Sequence, residues 1–301
     1  MRTIIDWMAF RCRETVDVVK GSITRAFENH ANLGLSFTDR GAGWQGYTSS
    51  QAITLGGVQI GLMAYGGANQ RGWVLVSLSG VGCGFVSDWV HVQRVLSGLD
   101  GFEFRRVDVA FDSVDGKHSY PSVLAAYLGG AFNGNGRRPK HRQNTGDAGD
   151  GDTLYIGSRK ADKFCRIYEK GKQLAGGRGV THVDGVRVED WLRMEVEFKA
   201  VTAPIPADII DNRDAYFAGA YPFFASILVG VEPLSWRFNP KLSAQLELQK
   251  ALANIKHQYG DTLHTALEAY EGDVWRLFSA ISSGEHNAKL VKAGVLMTDH
   301  L

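Results

Sequence analysis

The chain has 301 residues, 44% hydrophobic and 22% charged, with 33 Lys plus Arg against 32 Asp plus Glu and a net charge of +1. That supports one large core or two ordinary ones, and it excludes a binder whose whole surface is basic, so any nucleic-acid surface must be local. Cys12, Cys83 and Cys165 are odd in number and far apart, which argues against a disulfide framework or zinc site and fits a reducing cytoplasm.

The apolar run Ile4 to Phe10 is interrupted by Asp6 and is too short and polar for a signal peptide. A strand over 3–10 leads to a helix over 15–29, where Val16, Val19, Ile23, Ala26 and Phe27 recur at helical spacing behind Thr15 as N-cap. Strands near 46–54, 58–64 and 73–78 precede a helix at 87–97. The glycine-rich run Gly80 to Gly84 lacks the full spacing of a dinucleotide loop. A second pass repeats the order: strand 104–112, helix 119–128 capped by Ser119 with Pro121 in its first turn, strands 153–157, 164–170 and 192–199, and helical residues within 207–229.

Both passes read βαβββα. The spacing predicts an α+β fold: one antiparallel sheet from two such halves, helices on one face and the other face open, followed by a helical C-terminal region. Residues 1–100 form the N-terminal half, a scaffold whose Trp44, Tyr47, Tyr65 and Trp73 are either core or stacking groups; 101–235 form the half that carries chemistry; 236–301 form the helical tail. The uncharged run Ala215 to Val231, interrupted by Pro222, reads as helix over the sheet's apolar face rather than a membrane span. Beyond Pro240, three apolar stripes (Leu248 to Tyr259, Leu263 to Tyr270, Val274 to Ile281) are separated at Gly260-Asp261 and Gly272-Asp273, each read as a helix stop followed by a helix start.

The chemistry concentrates in three strands. In RVDVAFD (Arg106 to Asp112), Asp108 and Asp112 share one face and Val107, Val109 and Phe111 the other. In RMEVEFK (Arg193 to Lys199), Glu195 and Glu197 point one way and Met194, Val196 and Phe198 the other. As neighbours, these strands would bring four acids together, a repulsion that a divalent cation relieves. Hard oxygen ligands suit Mg²⁺ or Mn²⁺. Between them, TLYIGSRKADKFCRIYEK (Thr153 to Lys170) reads as a hairpin turning near 158–163. Its return strand places Tyr168 between Arg166 and Lys170, cations that would lower the phenol's pKa from about 10. An acidic metal site beside such a tyrosine suggests phosphoryl transfer through a covalent tyrosine intermediate, of which DNA nicking is one example.

The strand with two aspartates, the I-Y-E-K strand, the M-E-V-E-F-K strand and the preceding S-G-V-G-C segment together resemble the replication initiation factors of rolling-circle plasmids and filamentous phages, the Rep_trans group. The resemblance runs from the first strand to the helical tail, and its specificity lies in the order and spacing of short motifs. It implies a cytoplasmic nicking-closing endonuclease and strand transferase that cuts one strand of origin DNA, keeps the 5′-phosphate on Tyr168 and leaves a 3′-hydroxyl primer. Lys170, part of the Y-E-K pattern, or Arg166 would keep the phenol ionised or neutralise the phosphate. No His-x-His pair occurs among the nine histidines, so Asp108, Asp112, Glu195 and Glu197 are the metal candidates.

Arg137, Arg138, Lys140 and Arg142, joined by Arg159, Lys160 and Lys163 of the hairpin turn, form the expected DNA surface. The region 131–152 reads as a long mobile loop suited to origin recognition. The C-terminal helices could enter DNA as a helix-turn-helix, support a homodimer or simply pack, and a host helicase is a further partner of such a reaction. Two alternatives stand beside this reading. One is a non-catalytic DNA-binding replication regulator of the same fold. The other takes the carboxylates as a solvated face paired by Arg106, Arg193 and Lys199.

Overall fold

Alternating apolar and polar residues build a ten-stranded sheet in the computed structural model of the chain, which describes residues 2–134, 137–146, 149–236, 240–292 and 295–297. The strands are β1 (Ile4–Cys12), β2 (Leu35–Asp39), β3 (Ser49–Leu55), β4 (Val58–Tyr65), β5 (Val74–Leu78), β6 (Glu103–Ser113), β7 (His141–Asn144), β8 (Thr153–Gly157) and β9 (Lys163–Glu169). A separate small hairpin, β10 (His182–Val183) and β11 (Val186–Arg187), precedes the tenth strand of the sheet, β12 (Leu192–Lys199). The order is β2-β3-β4-β5-β1-β6-β12-β9-β8-β7, and neighbouring strands are antiparallel.

The strand that opens each pass, β1 or β6, lies at the centre, and the later strands run outward from it in reverse chain order. Because β1 pairs directly with β6, residues 1–100 and 101–235 share one sheet within a single compact unit, residues 1–236. Each pass gives the ten-stranded sheet one strand more than its sequence pattern shows. These are the two edges, β2 and β7, and β7 lies inside the region read as a mobile loop. All four residues of β7 are exposed, so no apolar alternation marks them as a strand.

The helices of this unit are α1 (Val16–Ala26), α2 (Gly80–Gly84), α3 (Trp89–Ser97), α4 (Tyr120–Leu128), α5 (Lys170–Ala175), α6 (Arg213–Ala220) and α7 (Pro222–Ile227). Thr15 caps α1 by accepting from the Val18 N–H, and Ser119 and Ser122 form a reciprocal capping box on α4. Val19 and Ile23 of α1, Val92 and Leu96 of α3, Val123 and Tyr127 of α4 and Phe217 and Phe224 of α6 and α7 join Met8, Phe10, Val107, Val109, Ile167, Met194 and Val196 in one buried cluster. The strand residues of that cluster include the apolar partners predicted for β6 and β12. The glycine-rich run is a packing device: a Cβ on Gly82 would lie 2.2 Å from the Ile60 carbonyl oxygen. Pro222 divides the uncharged run into α6 and α7, and no helix among the described residues is long and apolar enough to cross a membrane.

Residues 237–301 form the second unit, with α8 (Pro240–Ala269), α9 (Val274–Ile281) and α10 (Ala288–Lys292). Here α8 runs unbroken through Gly260-Asp261, against the expected stop. One glycine costs a helix interior only about 1 kcal/mol relative to alanine, and the long helical stretches on both sides absorb that. At Gly272 the chain does turn, with φ +82°, and Asp273 caps α9 by accepting from the Arg276 N–H. Leu252, Ile255, Tyr259, Val274, Phe278 and Ile281 are exposed, so these predicted stripes do not build a core.

Candidate active site on the polar face of the sheet

The register places the site. β12 lies between β6 and β9, with Glu197 opposite Asp108, Arg193 opposite Asp112, Glu195 opposite Arg166 and Arg193 opposite Tyr168. Because partners across a ladder share a face, Arg106, Asp108 and Asp112 of β6, Arg193, Glu195, Glu197 and Lys199 of β12, and Phe164, Arg166 and Tyr168 of β9 all lie on the side away from the apolar cluster. Tyr155 of β8, opposite Arg166, joins them. A register shift between Ile5 and Trp7 puts a bulge at Asp6, whose carboxylate reaches the same face.

On this face the four predicted metal ligands divide into two groups. In the first, Arg106 grips Asp108 through Nε at 2.8 Å and Nη2 at 2.5 Å and also reaches Glu197 at 3.0 Å. Lys199 pairs with Glu197 at 2.7 Å, and Arg166 with Glu195 at 2.6 Å. In the second, Arg193 takes Asp112 in a two-pronged bond at 2.7 and 2.6 Å and Asp6 at 2.7 Å, while the Trp191 indole donates to Asp112 at 3.0 Å. Asp112 stands four residues from Asp108 on one strand, about 13 Å at the usual rise per residue. Among the described residues, no three His, Cys, Asp or Glu side chains are grouped to hold a metal ion. The guanidinium groups of Arg106, Arg166 and Arg193 and the Lys199 ammonium, interleaved with the acids, offset the repulsion between them.

The alternative of a solvated, paired face has its pairs but not its solvent. Asp108 and Glu195 are each 2% exposed. Burial is the largest cause pushing the Asp108 carboxyl up to about 8; Arg106 opposes it, and Glu195 and Glu197 reinforce it. A crevice of about 30 Å³ lies among Arg106, Arg166, Glu195, Glu197, Arg159 and Phe164. That is about the space of one water molecule in the liquid. The Arg166 Nε, buried and without a hydrogen-bond partner, is also at this position.

Tyr168 is 6% exposed, with the Arg166 guanidinium 4.9 Å and the Lys170 ammonium 5.7 Å from its ring centre. The expected lowering of its pKa is not found. Burial, then Glu195, push the phenol up to about 12, and Arg193 and Arg166 offset this only in part. The strand pattern displayed the cations but not the depth. Lys170 is the first residue of α5 rather than the last of a strand, and its Nζ donates to Gln173 at 3.0 Å. Burial, followed by Arg193, lowers its pKa. The turn into α5 is close-packed: a Cβ on Gly171 would meet the Val188 carbonyl oxygen at 2.1 Å.

Of the predicted DNA contacts, Arg137, Arg138, Lys140, Arg142, Arg159 and Lys160 are exposed. Lys163 is not a free surface cation. Its Nζ donates to the Ala220 carbonyl and sits 4.2 Å over the Tyr221 ring, and burial lowers its pKa. In the N-terminal half Tyr47 is buried, and the Trp73 ring is covered by Arg11 and Arg13 at 4.1 and 4.7 Å. The sequence pattern anticipates Arg193 pairing with the acids and sets Asp6 near the position of Asp108 in the first half, but it gives Asp6 no part in the site and does not single out Trp191 or Tyr155. The available signal for Asp6 was an acid inside the otherwise apolar strand IIDWMAF.

The profile of the replication initiation factor family matches residues 102–276, which include β6, β8, β9 and β12. A rolling circle replication initiator protein from Geobacillus stearothermophilus superposes with a TM-score of 0.56 at 20% identity, covering 78% of this chain and 98% of that one. This likeness concerns the fold. No curated protein matches the chain.

Proposed function

The chain belongs to the replication initiation factor family, and from that premise we propose that it starts rolling-circle replication by nicking one strand of origin DNA in the cytoplasm of a bacterial host. The Tyr168 oxygen attacks the phosphorus of the scissile phosphodiester, the P–O3′ bond breaks, the 3′-oxygen leaves as a hydroxyl after taking a proton, and the 5′-phosphate stays on tyrosine. Strand transfer reverses the step with another 3′-hydroxyl.

One observation carries this reading: Tyr168 shares a sheet face, and a neighbouring strand position, with a set of buried carboxylates and four cations, Arg106, Arg166, Arg193 and Lys199. In this reading Arg166, 4.9 Å from the Tyr168 ring centre, neutralises the bound phosphate, and Lys170, 5.7 Å from it, receives the phenol's proton. Asp108, Glu195 and Glu197 are hard oxygen donors, Asp108 raised first by burial and further by the two glutamates, and they line or adjoin the small crevice, so they would hold Mg²⁺ or Mn²⁺ in exchange for a guanidinium partner. When bound, such an ion supplies charge stabilisation to the phosphate oxygens. Asp112, fixed by Arg193 and Trp191, is outside this set.

The test is a supercoiled plasmid carrying the origin, incubated with the protein and Mg²⁺ or Mn²⁺. Relaxation with protein attached at a 5′ end is expected, and Tyr168→Phe should abolish attachment while origin binding persists. The non-catalytic regulator remains the second reading because Tyr168 is buried and its phenol is raised. Binding without relaxation by the wild type would establish it.

A further inference from the structure

Beside the candidate active site, a cleft of about 220 Å³ opens on the same sheet face, lined by His141, Arg142, Tyr155, Gly157, Arg159 and Phe164. We propose that this cleft stacks one unpaired base of single-stranded DNA, the nucleotide next to the scissile phosphate. The proposal rests on the nicking reading above and adds to it the state of the DNA that the site accepts.

The aromatic and planar groups are already arranged as a stack. Tyr155 and Phe164 lie nearly parallel, at 18° with ring centres 5.8 Å apart. The guanidinium of Arg142 lies 4.8 Å from the Tyr155 ring centre, and that of Arg159 lies 5.6 Å from Tyr155 and 5.1 Å from Phe164. Arg142 and Arg159 are exposed and Tyr155 is half-buried, so a flat ligand can enter by displacing side chains that solvent already reaches. Aromatic rings with adjacent guanidinium groups bind bases through their π-faces, and the same guanidinium groups serve the backbone phosphates.

Only an unpaired strand can use such a cleft. In a duplex the base faces are covered by their neighbours, whereas in single strands they are free to stack on protein groups. The position relative to the chemistry follows from shared walls. Phe164 and Arg159 line both this cleft and the crevice containing Glu195, Glu197 and Arg166. On its other side the cleft meets, at Gly157, a larger cleft of about 570 Å³ that includes Arg137, Arg138 and Lys140. A strand passing from those basic groups around the sheet at Gly157 would cross the stack before reaching the acids and Tyr168.

The experiment uses the full chain and two fluorescein-labelled oligomers of equal length: twelve thymidylates, and twelve abasic tetrahydrofuran phosphates. Fluorescence anisotropy is expected to show the thymidylate chain bound at least 5-fold more tightly by the wild type. Tyr155→Ala should weaken the thymidylate chain by roughly 5- to 100-fold, the range for loss of one stacked base, and leave the abasic chain unchanged. Tyr155→Phe should retain wild-type binding of both, which separates stacking from any role of the hydroxyl. Equal affinity of the wild type for the two oligomers, equal loss of both in Tyr155→Ala, or loss of binding in Tyr155→Phe overturns the stacking site while leaving the nicking reading to its own plasmid test. Binding of neither oligomer by the wild type likewise overturns the stacking site, and the origin plasmid alone decides the nicking reading.

Discussion

Arg193 stands directly opposite Tyr168 across the β12–β9 ladder, and its guanidinium is held by Asp112 on β6 and by Asp6 in the bulge of β1. The clamp therefore ties the central strand pair, β1 and β6, to β12, the ladder neighbour of the strand carrying the candidate nucleophile. The Arg193 side chain is 9% exposed and its acids are 20% and 22% exposed, so removing the cation leaves two partly buried carboxylates without their counter-charge, Asp112 keeping only the Trp191 indole as donor. Arg193→Met should destabilise the protein by about 2–4 kcal/mol, less than a fully buried pair would give because the acids retain some solvent. Arg193→Lys should recover only part of this, since an ammonium cannot reproduce the two-pronged bond. Urea unfolding midpoints at neutral pH check both; a loss below about 1 kcal/mol for Arg193→Met would show the clamp to be dispensable.

Lys170 is the proposed proton acceptor for Tyr168, and the two titrations bear on each other. A phenol near 12 is almost wholly protonated at neutral pH, so its attack needs a partner that takes the proton as the bond to phosphorus forms. The lowered pKa of Lys170 increases the share of neutral amine available for that task. Lys170→Met should slow adduct formation on a single-stranded origin oligomer by roughly 10²- to 10⁴-fold. Lys170→Arg should fail to rescue the rate, because guanidinium keeps the charge but cannot accept a proton. Rapid-quench single-turnover assays give the rates. Full rescue by arginine would assign Lys170 a purely electrostatic role.

How much of this was legible in the sequence depends on whether a feature is local. The facing of Asp108, Glu195, Glu197, Arg166 and Tyr168 follows from the two-residue period of strands, and the register confirms it. The edge strands were hidden because β7 is wholly exposed and carries no apolar alternation, while β2 is short and alternates only at the half-buried Leu35 and Phe37. Asp6 was hidden for another reason: its role is made by a bulge and by Arg193, 187 residues away. For Tyr168, the sequence displays cations at i±2, but the solvent lost above the ring and the proximity of Glu195 are properties of the assembled sheet. The same holds for the metal candidates, whose common face is local information and whose capture by separate arginines is not.

Asp108 links the site to pH. Its folded-state pKa is raised from 3.8 to about 8, so the folded protein binds a proton that the unfolded chain releases between those values. This contribution to stability is fully present below about pH 4 and is lost as pH rises toward 8. The slope is at most about 1.4 kcal/mol per pH unit, roughly 3–5 °C in melting temperature for a unit of this size. Asp108→Asn, which cannot ionise, should remove this component, leaving the variant's melting temperature less sensitive to pH between 5 and 8 than that of the wild type. Calorimetry across that range provides the comparison, and parallel curves would place the proton elsewhere.

The division of the acids makes separate demands on metal binding. If Asp108, Glu195 and Glu197 hold the ion, each neutral variant (Asp108→Asn, Glu195→Gln, Glu197→Gln) should weaken Mn²⁺ binding by at least tenfold in isothermal titration calorimetry, because a hard divalent cation loses an anionic oxygen ligand. Asp112→Asn should leave the affinity within about twofold, since Asp112 is occupied by Arg193 and Trp191 about 13 Å along the strand from Asp108. Arg106→Gln should tighten binding, because the cation then no longer competes with the guanidinium for Asp108 and Glu197. Charge repulsion favours that direction: with Arg106 gone, the carboxylates have only Lys199 and Arg166 to offset them. A tenfold loss in Asp112→Asn, or weaker Mn²⁺ binding in Arg106→Gln, would return Asp112 to the ligand set or make Arg106 part of the support for the site rather than a competitor.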